Sequence, residues 1–568
     1  MGTDSVGLGR RSFLRATVLG AGAVAAGAPL LTACGGSNSA AAGKANSTSG
    51  LKAVLPTYTP LANGPKPELP IAAGAAGSSV DPGFLSYPTD LVTTVAKTPG
   101  SGGSYTAITP LWGGIPAAGN PYYQAVNKAL GAQLTMKPAN GNDYAQTVPT
   151  LVAGNKLPDW LQVPTWWNGN LNVGELAASR FADLTAHLSG DNIGKYPNLA
   201  AIPTGGWQAG AWNNKLYGFP SFTSGGQFGT ILYHRQDILS AKGIDPASIK
   251  DADSLLALGK ELTSASSNVW AFDVLWLVVQ QMFNVPPTGL AVTVKDGKVI
   301  SAYETPELEA ALEFAYKLAK SGYVHPDGLA KNNSQAKQRF YSGHVILTSD
   351  GPGAWNAPDA IEGRTADPKF VRGAVKVFSH DGSAPTVALQ NSAALMSYLN
   401  KNLSDAQIQE CLALANYLAA PFGSAEYTLI NYGVEGVHWT RGATGPTYTT
   451  QGTKEANQQT YQFLVSSQAV LTNPGYDDVT KAKYAWTADA VQHAYKPPFW
   501  NLNVNPPARF ASISTATQVN DIVEQVSFGK KTVADVKTAA ANWRTAGGSQ
   551  LIDWFQKNVV DVYGTGQQ

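Results

Sequence analysis

The sequence predicts an α/β fold in which parallel sheets, covered by helices on both faces, are divided between two lobes. Two observations carry this prediction. Setting the first 33 residues aside leaves 535 of the 568 residues, and single hydrophobic cores stop growing beyond about 250–300 residues. Residues 104–163 alternate strand and helix patterns in the order β-α-β-α-β, which favours parallel strands with helices on both faces.

Local signals place the elements of this first repeat. Residues 105–109 form an apolar, β-prone run, and Asn120-Pro121 offers an N-cap followed by a proline in the first helical turn. The helix is expected to end at Leu130, with Gly131 as its terminating residue. The same signals predict a helix that begins after Thr305 and ends at Gly322. The apolar run at residues 269–283 predicts one further helix.

The first residues have the pattern of an export signal. Arg10 and Arg11 are followed by a weakly apolar run at residues 16–29, and Leu31-Thr32-Ala33-Cys34 resembles the bacterial lipobox. We therefore expect a twin-arginine signal at residues 1–33 and lipidation of Cys34, which would hold the chain on the extracellular face of the cell membrane. Residues 34–103 are rich in Gly, Ser and Pro, which predicts a flexible tether and an extended segment. The alternative is a retained transmembrane helix, but the run is short, Gly-rich and interrupted by Pro29.

Composition excludes several classes of function. Charged residues make up 14% of the chain, against about 25% in typical domains, and without the first 33 residues the formal net charge falls from +1 to −1. No basic field is available for nucleic acid. The seven histidines are scattered and no Cys-x-x-Cys pair occurs, so we expect no metal and no cofactor. Cys411 would be the one cysteine left beside Cys34, and its apolar surroundings favour a buried thiol over a reactive one.

Tryptophans follow two of the predicted strands. In parallel sheets, ligands bind beyond the carboxyl ends of the strands. Trp112 lies in the loop after the first strand, and Trp166 and Trp167 lie in the loop after the third. These rings could pack on neighbouring loops, or they could form stacking faces for a ligand.

Five further segments, in this order, resemble the extracellular solute-binding proteins of ABC importers, of the large sugar-binding, maltose-binding-protein-like kind. The segments are residues 154–159 (GNKLPD), 212–220 (WNNKLYGFP), 232–237 (LYHRQD), 343–355 (GHVILTSDGPGAW) and 431–439 (NYGVEGVHW). Two positions depart from the family pattern: His234 stands where an aromatic residue or Asn is usual, and Gly353 stands where Trp is frequent.

The resemblance implies a type II periplasmic-binding-protein-like fold, with two lobes joined by a hinge. The Gly-rich patch at Gly225-Gly226 is the candidate for that hinge. It implies that residues 104–224 and 388–445 form lobe I, and that residues 225–387 and 446–568 form lobe II. It adds candidate ligand-binding residues to the three tryptophans: Tyr217, Asp350, Trp355, Glu435 and Trp439. It also implies an oligosaccharide ligand, a membrane permease as partner, a monomeric chain and no catalytic activity.

Two other functions are compatible with aromatic residues beside acids. A secreted glycoside hydrolase would need two carboxylates roughly 5–9.5 Å apart, for which Asp350 and Glu435 are the candidates. Because the resemblance places them on opposite lobes, their separation would change on closure, which argues against this reading. A surface protein could instead bind polysaccharide without an importer. The near-neutral charge and the tryptophans favour a neutral oligosaccharide over a polyanion.

Overall fold

Lobe I is built on a five-stranded mixed sheet. The computed structural model describes residues 45–61, 64–287 and 289–566, so Arg10, Arg11 and Cys34 lie outside the described residues. The strands of lobe I are β1 (Ser104–Ile108), β2 (Gln133–Met136), β3 (Trp160–Pro164), β4 (Gly218–Thr223) and β9 (Ala393–Leu399). Their order is β2-β1-β3-β9-β4; β1 is parallel to β2 and β3, and β9 is antiparallel to β3 and β4.

Lobe II is built on a smaller mixed sheet. Its strands are β5 (Ile231–Arg235), β6 (Trp270–Phe272), β7 (Val345–Asp350) and β8 (Arg372–Ala374), in the order β6-β7-β5-β8. Only the β6–β7 pairing is parallel, because β5 runs antiparallel to both of its neighbours. The mixed α/β class agrees with the prediction, but lobe II has less parallel pairing than the first repeat of the chain suggested.

Each sheet has a hydrophobic core on both faces, as alternating side chains of a strand require. Trp160 and Leu161 are neighbours on β3 and belong to different core clusters of lobe I. Leu232 and Tyr233 divide in the same way between the two clusters of lobe II. Both lobes therefore have the three-layer arrangement of an α/β fold.

Helices cover these two sheets, and further short strands form separate two-stranded pairs. Helices on lobe I are Thr48–Val54, Pro121–Leu130, Tyr144–Ala153, Val173–Arg180, Thr185–Leu188, Pro197–Ala200, Thr204–Gln208, Asp405–Leu418, Ala425–Tyr432 and Thr450–Glu455. Helices on lobe II are Gln236–Ala241, Ala252–Leu262, Trp276–Met282, Pro306–Lys320, Pro326–Leu329, Ala336–Tyr341, Ala357–Ala366, Asp477–Ala490, Ala511–Thr515, Thr517–Ser527, Val533–Trp543, Ser549–Phe555 and Asp561–Tyr563. Shorter strand pairs are Gly83–Phe84 with Leu471–Thr472, Pro110–Leu111 with Ala139–Asn140, Ala211–Trp212 with Lys215–Leu216, Val292–Lys295 with Lys298–Ser301, Val387–Ala388 with Ala494–Tyr495, and Trp439–Arg441 with Pro446–Tyr448.

The predicted helix ends are confirmed where capping chemistry is strong. The Asn120 side chain accepts a hydrogen bond from Tyr123 N at 2.9 Å, and Gly131 ends the helix with φ 65°. Thr305 caps the helix Pro306–Lys320. The single helix predicted over residues 269–283 is wrong. Its first part is strand β6, because Trp270 and Phe272 pair with Val345 and Leu347 of β7, and a short apolar run does not reveal such a distant partner.

Three segments cross between the lobes and lie side by side. We call residues 224–230 the first crossing, 389–392 the second and 467–470 the third. Ser224 N donates to Ser392 O at 2.9 Å, and Gln390 N donates to Gln227 O at 3.0 Å, so the first and second crossings are joined. Ala469 N donates to Thr223 O at 2.8 Å, which joins the third crossing to the end of β4.

The third crossing lies later in the chain than the sequence predicted. Tyr461, Leu464 and Val465 are fully buried in the core of lobe I, whereas the predicted boundary of that lobe was residue 445. The hydroxyls of Ser221 and Ser397, on the lobe I sheet, donate to the carbonyls of Gln462 and Leu464. Lobe I therefore extends to about residue 466, because this segment lies against its sheet.

Residues 64–103, which we call the strap, bind to both lobes and to the crossings. The sequence predicted an extended, flexible segment, since Gly, Ser and Pro offer little to bury. The observed strap is extended but held by hydrogen bonds along its length. Across the part of the chain that the structure describes, no helix is both long and apolar enough to span a membrane.

Candidate ligand-binding site

Three tryptophans meet at the edge of lobe I that faces the crossings. We call Trp112, Trp166 and Trp167 the tryptophan platform. Their ring centroids are 5.9 Å (Trp112–Trp166), 6.4 Å (Trp112–Trp167) and 6.0 Å (Trp166–Trp167) apart. Trp112 is 44% exposed and Trp166 is 52% exposed. Large aromatic faces left open at one point of the surface are typical of a binding site.

The position of Trp112 depends on a glycine of the neighbouring loop. Pro110–Leu111 pairs with Ala139–Asn140 and so carries Trp112 over Gly141. A Cβ atom on Gly141 would lie 2.5 Å from Cε2 and Nε1 of the indole, which is closer than van der Waals contact allows. The glycine therefore provides the space in which this ring lies.

The other two tryptophans lie on a single 3-10 turn, Thr165–Trp167, directly after β3. Thr165 Oγ1 donates to the carbonyls of Ala393 and Ala394, at 3.2 and 3.0 Å, and so fixes the turn to the start of β9. Trp167 stacks on Tyr144, with ring centroids 6.0 Å apart and an interplanar angle of 19°. Trp166 is thereby left as the more exposed ring of the pair.

Two phenylalanines that the sequence analysis did not single out lie behind the platform. Phe463 is 8% exposed and packs edge-on against Trp112, with ring centroids 6.0 Å apart. Phe222 packs edge-on against Phe463 at 5.6 Å, and its φ of 52° is rare for a bulky residue. Phe222 lies two residues before the start of the first crossing. The apolar residues at 461 and 463–465 were a signal for a buried segment, but that segment had been assigned to lobe II.

Asp350 ends strand β7 on the side of lobe II that faces the crossings. Its Cα partner across the sheet is Ile231, the first residue after the first crossing. The Asp350 side chain accepts a hydrogen bond from Gly351 N at 2.7 Å and remains exposed to solvent. Surrounding protein atoms nonetheless raise the pKa of this carboxyl, against the attraction of Lys337 and Arg372. The Asp350 side chain is thus accessible to solvent and yet surrounded by protein atoms, as expected for a residue in the wall of a cleft.

The strand registers of the two sheets bring the tryptophan platform and Asp350 to the same region of the molecule, beside the first crossing. The platform turn lies beside Ala393, which pairs with Thr223 at the end of β4, and Asp350 pairs with Ile231 at the start of β5. Between Thr223 and Ile231 lie the seven residues of the first crossing, which span at most about 25 Å when extended. The platform and Asp350 therefore lie at opposite ends of one short connection.

The lobes touch next to the platform. A Cβ atom on Gly169, two residues after Trp167, would lie 2.7 Å from the carbonyl oxygen of Gly289 in lobe II. Asn503 Nδ2 donates to the carbonyls of Gln208, Ala209 and Ala211 in lobe I, at 3.1, 3.1 and 2.8 Å. The two lobes are thus in contact along one rim of the cleft.

Three predicted ligand contacts are buried in this structure and pack against other residues. Tyr217 is 7% exposed in the core of lobe I. Trp355 is 3% exposed and packs edge-on against Tyr233, with ring centroids 5.5 Å apart. Trp439 is 6% exposed, and its Nε1 donates to Gly433 O at 3.0 Å, which fixes the loop after helix Ala425–Tyr432. None of these rings offers a free face in the observed arrangement.

Glu435 is exposed in that same loop of lobe I, where its carboxylate lies 3.9 Å from Arg441 Nε. Asp350 belongs to lobe II. The two acids are therefore on different lobes, each with a local partner of its own. In residues 45–61, 64–287 and 289–566, no group of three His, Cys, Asp or Glu side chains is arranged to hold a metal ion. Cys411 is fully buried, and burial raises the pKa of its thiol, as expected for a structural cysteine.

Comparison with known proteins agrees with this architecture. The chain is similar in structure to the N-glycan transport solute-binding protein NgtS from Streptococcus pneumoniae in complex with Man1GlcNAc (TM-score 0.60, 14% identity, covering 81% of this chain and 99% of the other). It is similar to the alginate-binding protein AlgQ2 without calcium ion (0.58, 13%, 82% and 99%). It is also similar to an HMO-binding, ABC-transporter-associated protein from Bifidobacterium longum infantis (0.55, 14%, 82% and 99%).

At these identities the structural likeness establishes the fold, which is that of two-lobed type II binding proteins. A comparison of the sequence with curated proteins finds no match. The family model of the bacterial extracellular solute-binding proteins matches residues 121–433, more than half of the chain. That stretch contains β2 to β9, the platform turn, the first two crossings and Asp350, and the chain therefore belongs to the bacterial extracellular solute-binding proteins.

Proposed function

We propose that this protein is the substrate-binding component of an ABC importer and that it captures an oligosaccharide between its two lobes. The tryptophan platform carries this proposal, because it leaves two indole faces open at the edge of lobe I that borders the crossings. The C–H faces of sugar rings stack on indoles, and a carboxylate such as Asp350 accepts hydrogen bonds from hydroxyl groups.

The structural neighbours support the choice of ligand class. Their descriptions name an N-glycan fragment, HMO and alginate as what those proteins transport or bind. These carbohydrates differ in charge, so the neighbours do not choose between a neutral and an acidic ligand. The nearly balanced charge of this chain favours a neutral oligosaccharide.

The mechanism is closure of one lobe over the other. A ligand stabilises the closed state only by contacts that it makes better there than in the open state. Stacking on Trp166 from lobe I and hydrogen bonding to Asp350 from lobe II would be such contacts, since both exist only when the lobes are close. The closed form would then be delivered to the membrane permease. Lipidation of Cys34 would keep the protein at the extracellular face of the membrane, where that permease is reached.

We propose binding without catalysis. Glycoside hydrolysis requires two carboxylates held at a fixed separation. Glu435 and Asp350 belong to different lobes, and Glu435 is already close to Arg441. A pair whose separation changes with lobe movement is poorly suited to acid–base catalysis.

Intrinsic fluorescence of the full-length chain tests the proposal. We expect the emission of the platform tryptophans to change on titration with neutral oligosaccharides. The variant Trp166→Ala should bind the same sugar about five- to thirtyfold more weakly, because it removes a stacking face worth about 1–2 kcal/mol. Trp270→Phe is the matched control, since Trp270 pairs with Val345 at the end of β7 away from Asp350.

Two results would contradict the proposal. The first is the absence of any fluorescence or calorimetric response across a panel of neutral and acidic oligosaccharides. The second is the appearance of shorter sugars after prolonged incubation with the protein, which would show hydrolysis instead of capture.

A further inference from the structure

The strap makes hydrogen bonds to both lobes. Its first part lies on lobe II, where Tyr484 Oη donates to Pro70 O at 2.6 Å and Gln492 Nε2 donates to Ala73 O at 3.0 Å. Its last part lies on lobe I, where Thr94 N and Val95 N donate to Glu426 Oε1 at 2.8 and 2.7 Å. A segment attached at both ends in this way connects the lobes independently of the three crossings.

Between these ends the strap binds the first crossing directly. Ser224 Oγ donates to Asp81 Oδ2 at 2.6 Å, and Gly225 N donates to Asp81 Oδ1 at 3.2 Å. Ser79 N donates to Gly225 O at 3.0 Å, so both the N–H and the carbonyl group of Gly225 are hydrogen-bonded to the strap. Asp81 is 6% exposed. Hydrogen bonds to a buried carboxylate are among the stronger ones, because an unpaired charge in that position is costly.

The next residues of the strap reach the third crossing. Gly83–Phe84 forms a parallel pair with Leu471–Thr472, immediately after that crossing. The strap thus joins the first and third crossings into one hydrogen-bonded layer. A rotation of one lobe against the other has to shear this layer or release it.

The strap explains two of the three glycines of the first crossing, Gly225 and Gly226. A Cβ atom on Gly225 would overlap Ser79 Oγ, and one on Gly226 would lie 2.9 Å from Ser79 O. Neither glycine has a positive φ, so backbone freedom is not what requires glycine here. The sequence suggested a hinge at Gly225-Gly226, and the structure shows that these glycines also make room for Ser79 of the strap.

We propose that the strap is a brace between the lobes, with Asp81 as its positioning residue, and that it favours the arrangement in which the lobes touch. The hydrogen bonds of Asp81 hold the first crossing in the conformation seen beside the lobe contact at Gly169 and Gly289. Loss of these bonds frees the crossing and shifts the molecule towards separated lobes, although Asp81 touches no proposed ligand contact. Ligand affinity then falls, since less of the protein is ready to close.

The distance between the lobes, measured without ligand, tests the brace. Spin labels are placed at Asn402 in lobe I and Lys260 in lobe II, which are both exposed, in a full-length Cys34→Ser background. Cys411 is fully buried and is not expected to react with the label. Pulsed electron resonance should show a longer and broader distance distribution in Asp81→Ala, with about a tenfold shift in the ratio of touching to separated lobes. Asp90→Ala, an exposed aspartate of the same strap, is the control.

A milder variant covers the case in which Asp81→Ala fails to fold. Tyr484→Phe removes the single hydrogen bond to Pro70 O at the lobe II end of the strap, and it should shift the distribution in the same direction by a smaller amount. Distributions for both variants that match those of the parent and of Asp90→Ala would refute the brace. This measurement needs no ligand, so its outcome is independent of whether the oligosaccharide proposal holds.

Discussion

Substitution of Gly141 by alanine tests the geometry of the tryptophan platform without removing any ligand contact. The new Cβ would lie 2.5 Å from Cε2 of Trp112. Ordinary carbon contacts require about 3.5 Å, so the indole has to move by about 1 Å. The backbone itself accepts alanine, because Gly141 does not have a positive φ. The main effect should therefore be a displaced ring.

A displaced ring should weaken binding by part of the stacking energy. Stacking contributes about 0.5–1.5 kcal/mol beyond buried area, which corresponds to about a two- to twelvefold weaker affinity for an oligosaccharide. Calorimetric titration measures this change, and near-ultraviolet circular dichroism reports the rearranged tryptophans in the absence of ligand. Gly114→Ala is the matched control from the neighbouring loop, since a Cβ at that position meets nothing within 4 Å.

Two outcomes distinguish the packing of Trp112 on Gly141 from a contact between Trp112 and the ligand. If Gly141→Ala leaves both the affinity and the dichroism unchanged, the described packing of Trp112 on Gly141 is refuted. If the dichroism changes but the affinity does not, Trp112 is not a ligand contact and the platform is reduced to its other two rings.

Two further predictions concern stability. His234 is 1% exposed, and burial lowers the pKa of its imidazole to about 4. The unfolded chain therefore binds the imidazole proton more tightly than the folded chain does. The free energy of unfolding should fall by up to about 3 kcal/mol as the pH drops from about 6.5 to about 4. Denaturant titrations at several pH values should show this slope in the parent and a reduced slope in His234→Gln, and equal slopes would contradict the assignment. Gly452→Ala should destabilise the protein by several kcal/mol, because its Cβ would overlap the carbonyl oxygen of His438. Thermal melts compare it with Gly194→Ala, where a Cβ meets nothing within 4 Å, and equal melting temperatures would show that the backbone at Gly452 relaxes freely.

Local chemistry accounts for the elements that could be predicted from the sequence. The helix Pro121–Leu130 was recognised because Asn120, Pro121 and Gly131 each make a contact within a few residues of their own position. Strand β6 was missed because its partner, β7, lies more than seventy residues further along the chain. An apolar run that is short enough to be either element acquires its identity from such a partner.

The candidate site also contains residues that the sequence could identify and residues whose environment it could not reveal. Trp112 and Trp166 follow strands of the lobe I sheet, so the rule that ligands bind beyond strand ends was enough to select them. Trp355 and Trp439 occupy comparable positions after strands or turns, but Tyr233 and Gly433 O cover them. Whether a loop tryptophan is covered depends on residues that are distant in the sequence, whereas the rule on strand ends uses only local sequence. Phe463 was missed because its segment had been assigned to lobe II.

The packing of Ser79 against Gly225 and Gly226 has a consequence for the evolution of related chains. A homologue that lacks the N-terminal segment would have an empty groove at this point. The three atoms nearest to a Cβ on Gly225 all belong to Ser79, so that position would become free for a side chain, whereas Val491 and Thr487 would still lie close to one at Gly226. Loss of that segment and replacement of Gly225 by a larger residue should therefore be inherited together.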